Sequence, residues 1–305
     1  MARAKLHRQI KAQHVIKKLK IAKKGNISSS SSSEVDSVSY RLGRVDISSN
    51  DDVEKVSIPD EILFQDPPPK EDCPICLQPM PFTSGLFGVR KTYHPCCGKV
   101  ICDGCSLAED DEIKKGNIKP WCALCRVPNC GRKEALTKRY KRRMELNDAE
   151  AFYTLGGVYT TGDFGLSKNI DKALELTNRA AELGSCNAHY NLANAYWKGD
   201  GVKRDTEKST HHMKLAAIKG HELARHALGI MEQHNGNVDN AMKHFTIVAR
   251  AGDNESLKAV GEGYKAGHVT KDDYAKTLRV YQHSINEMKS KQRDIAASLD
   301  GGWSA

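Results

Sequence analysis

The chain has 305 residues, 39% hydrophobic and 6% aromatic, and its 10 Pro and 24 Gly are spread along it, which points to modules with tails rather than to one body. No run approaches the roughly 18 to 20 consecutive apolar residues that a bilayer crossing requires, and mean hydropathy is −0.57, so a membrane-spanning protein is excluded. The net charge of +9 is unevenly placed: residues 1–27 hold nine basic and no acidic residues, 28–72 four against eleven, 131–146 seven against two, and 147–305 twenty against twenty, so the neutral bulk argues against a nucleic-acid-binding body and leaves two short basic segments as candidates.

Residues 1–69 read as a disordered tail, basic and then serine-rich and acidic. Leu6, Ile10, Ile16 and Leu19 could line one face of a short helix, but Ser28–Ser33 and an acidic stretch follow, and nothing there builds a core. The basic opening is either a nuclear or organellar address, an anionic-surface contact, or a solvated arm. It contains no apolar run of secretory type, so the chain is expected in a reducing compartment, cytoplasmic or nuclear. Pro67, Pro68 and Pro69 hold an extended linker and mark the first domain boundary.

Ten cysteines in a reducing compartment point to metal ligation rather than to disulfides. Eight of them come in pairs: Cys73 and Cys76, the adjacent Cys96 and Cys97, Cys102 and Cys105, then Cys122 and Cys125. A Cys-x2-Cys step suits zinc because a tight turn aims both sulfurs at one ion about 2.3 Å away. Eight thiols make two tetrahedral Zn2+ sites. The segment also lacks the apolar content to fold unaided, so metal has to supply the folding energy. Cys130 and Cys186 are left over and read as ordinary small side chains.

The order pair, long loop, pair, pair, loop, pair resembles a RING finger over residues 70–131, and Cys97-Gly98-Lys99-Val100-Ile101-Cys102 is similar to the stretch in which that family has Cys-Gly-His before an apolar residue and Cys. A PHD finger has Cys-x2-Cys steps in a different order. The resemblance implies an interleaved cross-brace, with Cys73, Cys76, Cys102 and Cys105 on the first ion and the middle pair with Cys122 and Cys125 on the second. Lys99 stands where the family has its His, so the missing ligand comes from upstream, either Cys96 or, as the alternative, His94. The resemblance further implies that the module holds a ubiquitin-charged conjugating enzyme, catalysing by positioning with no catalytic side chain of its own. Ile75 then corresponds to the apolar contact for the conjugating enzyme, Trp121 and Pro128 extend that surface, and Arg126 matches the basic residue that bonds both enzyme and ubiquitin. The plainer reading makes Ile75 a turn residue, Trp121 a piece of core and Arg126 a solvated charge.

Residues 132–147 read as a basic connecting helix, in which Lys138–Arg143 is a nuclear address, a phosphate contact or a solvated face. Self-similarity follows from 148 to 290. Ala151, Leu155, Tyr159 and Gly162 recur 37 positions later as Ala188, Leu192, Tyr196 and Gly199, and Ala180, Ala181 and Gly184 recur 36 positions later as Ala216, Ala217 and Gly220. Ala224 and Leu228 continue the pattern, Ala249 and Gly252 close a unit whose loop is shorter, and Tyr264, Gly267 and Ala275 keep it in a fourth. Each unit reads as helix, Gly turn, helix, and neighbouring hairpins must stack to bury their stripes. These units resemble Sel-one-like repeats of the tetratricopeptide type, with Leu155-Gly156 and Tyr159 fitting the signature and Leu192-Ala193 lacking its Gly. The histidines at 211, 212, 221 and 226 form no closed ligand set, and residues 291–305 read as a C-terminal tail.

The expected protein is mainly α: an α-solenoid of about four helical hairpins preceded by a small zinc finger and a disordered tail. Its expected function is that of a RING-type ubiquitin ligase or ligase subunit, with ubiquitin-conjugating enzyme and ubiquitin as partners of the zinc finger and a protein substrate on the repeats. A non-enzymatic zinc-binding adaptor is the alternative. Neither a membrane nor nucleic acid is expected as a partner.

Overall fold

A computed structural model describes residues 58–80, 91–129 and 133–300. The basic opening, the serine run, Cys130 and residues 301–305 lie outside the described residues. No helix among the described residues is long and apolar enough to cross a membrane.

The repeat array is four antiparallel hairpins: α4 (Ala149–Thr161) with α5 (Ile170–Glu182), α6 (Cys186–Lys198) with α7 (Thr206–Ile218), α8 (Glu222–His234) with α9 (Val238–Arg250), and α10 (Asn254–Lys265) with α11 (Lys271–Met288). Before it come α1 (Asp60–Leu63), the antiparallel strands β1 (Lys91–His94) and β2 (Lys99–Cys102), α2 (Asp103–Lys114) and α3 (Lys133–Glu145); α12 (Lys291–Asp300) ends the described chain.

Most of the alanines singled out by the repeat pattern disappear from solvent, whereas Tyr264 and Gly267 of the fourth unit stay exposed. Ala151, Ala188 and Ala224 are at 0% exposure, as are Ala180, Ala216, Ala217 and Ala249, because small side chains let successive helices approach closely. Gly162 and Gly199 end the first helices of two units in the left-handed conformation, at φ 83° and 76°, which glycine adopts without a Cβ penalty. Each first helix opens on a side chain that accepts a backbone N–H: Asp148, Ser185, His221 and Asp253 stand at equivalent steps of the four units. His221 is therefore a cap, its Nδ1 accepting from the Ala224 amide at 3.2 Å, and burial pushes its pKa down to about 4, which keeps the accepting nitrogen unprotonated.

Two stretches expected as tails are part of the folded body. Residues 58–69 are held to the array: Leu63 of α1 is buried among Met213, Ala217 and Leu228, and its carbonyl accepts from Arg225 at 2.6 Å. Residues 291–300 form α12, which lies against α2 so closely that a Cβ on Gly104 would stand 2.7 Å from the Arg293 amide. Both segments are polar enough to look solvated, and their anchors are single residues, Leu63 and Arg293, which no periodicity advertises. The basic connecting helix is likewise more fixed than its charge suggests. Tyr140 is buried and stacked on Tyr93 at 6.1 Å, and Arg139 donates to the Pro128 carbonyl at 2.7 Å.

Candidate metal centre

Two turns of the same construction carry four of the cysteines. In Cys73–Met80 the Leu77 amide returns to the Cys73 carbonyl at 2.8 Å, and the Cys73 amide bonds the Gln78 carbonyl at 2.8 Å. In Cys122–Asn129 the Arg126 amide returns to the Cys122 carbonyl, and the Cys122 amide bonds the Val127 carbonyl, both at 2.9 Å. Each turn is closed by an isolated bridge, Asp72 to Pro79 in one and Trp121 to Pro128 in the other. Each also forces the residue after its second cysteine into the left-handed region, Leu77 at φ 58° and Arg126 at φ 63°. That conformation costs roughly 1–2 kcal/mol for a residue with a Cβ. The shared pattern Cys-x-(Ile/Leu)-Cys-x-x-Pro was present in the sequence as Cys73–Pro79 and Cys122–Pro128, and it is the signal that could have revealed the twin turns.

The β1–β2 hairpin supplies the other four. Its turn holds Cys96 and Cys97, closed by Gly98 at φ 68° with its amide on the His94 carbonyl at 2.8 Å. Cys102 ends β2 and Cys105 lies in the first turn of α2, so strand and helix place two sulfurs on one side. The result is two sets of four thiols, Cys73, Cys76, Cys102 and Cys105 in one and Cys96, Cys97, Cys122 and Cys125 in the other, with the ligand atoms of each set within 4.8 Å of one another. The sets are interleaved along the chain. His94 stands outside both: it ends β1, and its Nε2 is buried without a partner among the described residues. Lys99 is exposed and pairs with His94 across the hairpin.

The donor chemistry fits a divalent metal. Four sulfurs about 2.3 Å from a tetrahedral ion stand about 3.8 Å apart. Cys76 and Cys102 are 3.8 Å apart and Cys97 and Cys122 3.9 Å, far beyond a disulfide bond. Four thiols this close cannot ionise independently. Hydrogen bonds from Cys102, Cys105 and Cys76 hold the Cys73 thiol far below the usual range, whereas contacts with Cys102, Cys73 and Cys76 push Cys105 far above it. A cation at the centre lets all four be thiolates. The Cys102 amide adds a hydrogen bond to the Cys73 sulfur at 3.5 Å.

The residues expected to meet a partner are divided between the turns. Trp121 is 39% exposed and Arg126 and Pro128 are also at the surface, all on the second turn. Ile75 belongs to the first turn and is half-buried against the cluster of Cys73, Met80, Ile101, Cys102 and Cys105, and Leu124, its counterpart in the second turn, packs against the same cluster. No sequence signal pointed to Arg293, which reaches the first thiol set from the far end of the chain, its Nη2 3.4 Å from the Cys76 sulfur.

The hairpin is also tied to the first repeat. The Tyr93 hydroxyl donates to the Asp148 carboxylate at 2.9 Å, and Arg143 Nε donates to the same oxygen at 2.8 Å, so the cap of α4 is one node of the joint.

The sequence profile of the Sel1 repeat matches residues 149–185 and 186–221. Those two hairpins are Sel1 repeats. Sel1 repeats support a role as a protein-interaction scaffold, and the profile match does not extend to residues 70–131. Protein SHC1 of Saccharomyces cerevisiae is 27% identical over 169 residues, 50% of this chain and 33% of its own length. The chitin synthase regulator SKT5 of the same yeast is 33% identical over 82 residues, 27% of this chain and 12% of the relative, and cytochrome c oxidase assembly factor 7A of Xenopus laevis is 32% identical over 78 residues, 25% of this chain and 34% of the relative. The chain spans about a third of the length of the first of these relatives. Among solved structures, a Sel1 repeat protein from Oxalobacter formigenes is 22% identical with a TM-score of 0.43, covering 61% of this chain and 76% of that one. A protective antigen of uropathogenic Escherichia coli displaying an SLR fold is 29% identical with a TM-score of 0.41, covering 50% and 33%.

Proposed function

We propose that the chain is a zinc-binding, RING-type ubiquitin ligase or ligase subunit in which the repeats recruit the protein to be modified. The reading rests on one observation, the interleaving of two four-thiol sets along residues 73–125. With all four positions of each site taken by sulfur, the zinc ions are structural; they fix the two turns and the hairpin and leave no coordination position for a water. Transfer of ubiquitin then depends on geometry: Ile75 and the exposed Trp121 and Pro128 seat the conjugating enzyme, and Arg126, with its planar fork of donors, holds the thioester arm in one orientation.

Elemental analysis of the purified chain is expected to give two zinc ions, and fewer than two removes the proposal. Autoubiquitylation with a panel of conjugating enzymes tests the activity. Ile75→Ala and Arg126→Ala should abolish the signal while both ions stay bound. Silence of the wild-type chain with every enzyme favours the second reading, a non-enzymatic adaptor, which the names of the yeast regulator and the frog assembly factor suit equally well.

A further inference from the structure

The chain crosses from the repeats back to the zinc segment at one point. Lys289 is extended, which ends α11 and turns the chain, Ser290 caps α12 by accepting from the Arg293 amide at 3.3 Å, and α12 then runs along α2. Its Arg293 is only 5% exposed. The guanidinium is held by carbonyls on one side, with Nη1 donating to Pro79 at 2.9 Å and Met288 at 2.8 Å. Nη2 faces the Cys76 sulfur and the Gln78 carbonyl, each at 3.4 Å. Gln78 Nε2 returns a bond to the Lys289 carbonyl at 2.9 Å.

We propose that Arg293 is an outer-sphere partner of the first metal site, and that seating of α12 and metal occupancy of Cys73, Cys76, Cys102 and Cys105 are linked. This rests on the reading of that quartet as a metal site. Four thiolates around a divalent ion carry a net charge of −2, and a buried charge of that size is stable only when it is paired or hydrogen-bonded. Arg293 is the mirror problem: a buried cation whose other contacts are neutral carbonyls. Each resolves the other. A hydrogen bond to thiolate sulfur orients the ligand and withdraws charge from it, as outer partners of metal ligands generally do. The coupling is reciprocal, so whatever factor α12 adds to metal affinity, the metal adds to the seating of α12. The second quartet provides an internal control: its sulfurs take backbone hydrogen bonds as those of the first do, but Arg293 contacts the first set and Cys125 lies at the surface.

The test uses the full chain. Metal release to a chromogenic chelator is followed for wild type, Arg293→Gln and Arg293→Lys, with the visible spectrum of the cobalt-substituted proteins and hydrogen exchange of residues 291–300 before and after chelation. Expected are two ions in the wild type, one of which leaves about 10–100-fold faster in Arg293→Gln while the other keeps its rate. Arg293→Lys should lie between them. The sulfur-to-cobalt charge-transfer band should move to lower energy in Arg293→Gln, a change that loss of a purely structural carbonyl contact would not produce. Chelation of the wild type should expose the α12 amides to exchange. Two ions released at wild-type rates from Arg293→Gln, with an unmoved band, overturn the linkage and leave the metal reading standing; a wild-type chain without ions removes both. If Arg293→Gln does not fold, protected α12 amides in the chelated wild type overturn the proposal by themselves.

Discussion

Replacing His244 by leucine should make the repeat array less sensitive to acid. His244 is at 0% exposure on α9, beside Phe64 at 4.8 Å, and neither ring nitrogen has a hydrogen-bond partner among the described residues. Burial, with the positive charges of Arg225, Lys214 and Lys243 around it, pushes its pKa from 6.5 down to about 3. In the folded chain the ring is therefore neutral down to that pH, while in the unfolded chain it takes up a proton below 6.5. Between those values the unfolded state binds the extra proton, so stability falls as pH falls, by about 1.4 kcal/mol for one such group between pH 7.5 and 5.5. His189 and His221 are buried too, and burial pushes their pKa values down to about 3 and about 4. Together the three put about 4 kcal/mol of acid sensitivity into the array over that interval. His244→Leu removes one share without breaking a hydrogen bond. Urea unfolding followed by circular dichroism at pH 7.5 and 5.5 should find the variant at least as stable as wild type at the higher pH and ahead by an additional 1.4 kcal/mol or so at the lower. Thiolate protonation affects both proteins alike and cancels in the comparison. Equal losses on acidification would refute the argument, because the ring would then be protonated in the folded state or exposed to water.

Three further outcomes follow from the packing. Leu63→Ala removes a side chain at 3% exposure from the contact with Met213 and Leu228, at a cost of about 2–5 kcal/mol, and should appear as early proteolysis between residues 58 and 69 rather than as loss of helical signal. Gly229→Ala would place a Cβ 2.6 Å from the ring of Phe245, which is itself buried, so despite alanine's better helix propensity the variant should lose about 1–3 kcal/mol in thermal or urea unfolding. Arg126→Gly relieves the left-handed strain and should leave stability within about 1 kcal/mol of wild type, while autoubiquitylation disappears; retained activity would separate Arg126 from the transfer step.

What the sequence disclosed was whatever repeats. Ala151, Leu155 and Gly162 have counterparts one unit later, and their burial and left-handed turns follow from the same stacking geometry in each hairpin. The paired cysteines were legible for the same reason: a tight turn imposes a spacing. Joints between modules carry no such period. Leu63, Tyr93 and Arg293 each act once, against partners far away along the chain, and a lone arginine in a polar helix looks the same whether it faces water or a sulfur. His221 shows what the repeat period adds. It stood in a histidine-rich stretch that invites a metal, yet alignment of the units places it where Asp148, Ser185 and Asp253 cap their helices.

These joints change what kind of object the repeat array is. In an open solenoid each unit touches only its neighbours, and stability accumulates step by step. Here the segment of paired cysteines meets the first unit through Tyr93 and Asp148 and the chain beyond the last unit through Gln78, Pro79 and Arg293. Lys70 adds a bond to the Ala251 carbonyl at 3.0 Å and an ion pair with Glu222 at 3.3 Å, reaching the third hairpin from the linker. The segment of paired cysteines is thus the one that both ends of the array lean on. Metal at the two thiol sets would then bear on more than a docking surface, since the contacts with the array come from the same turns that carry the cysteines.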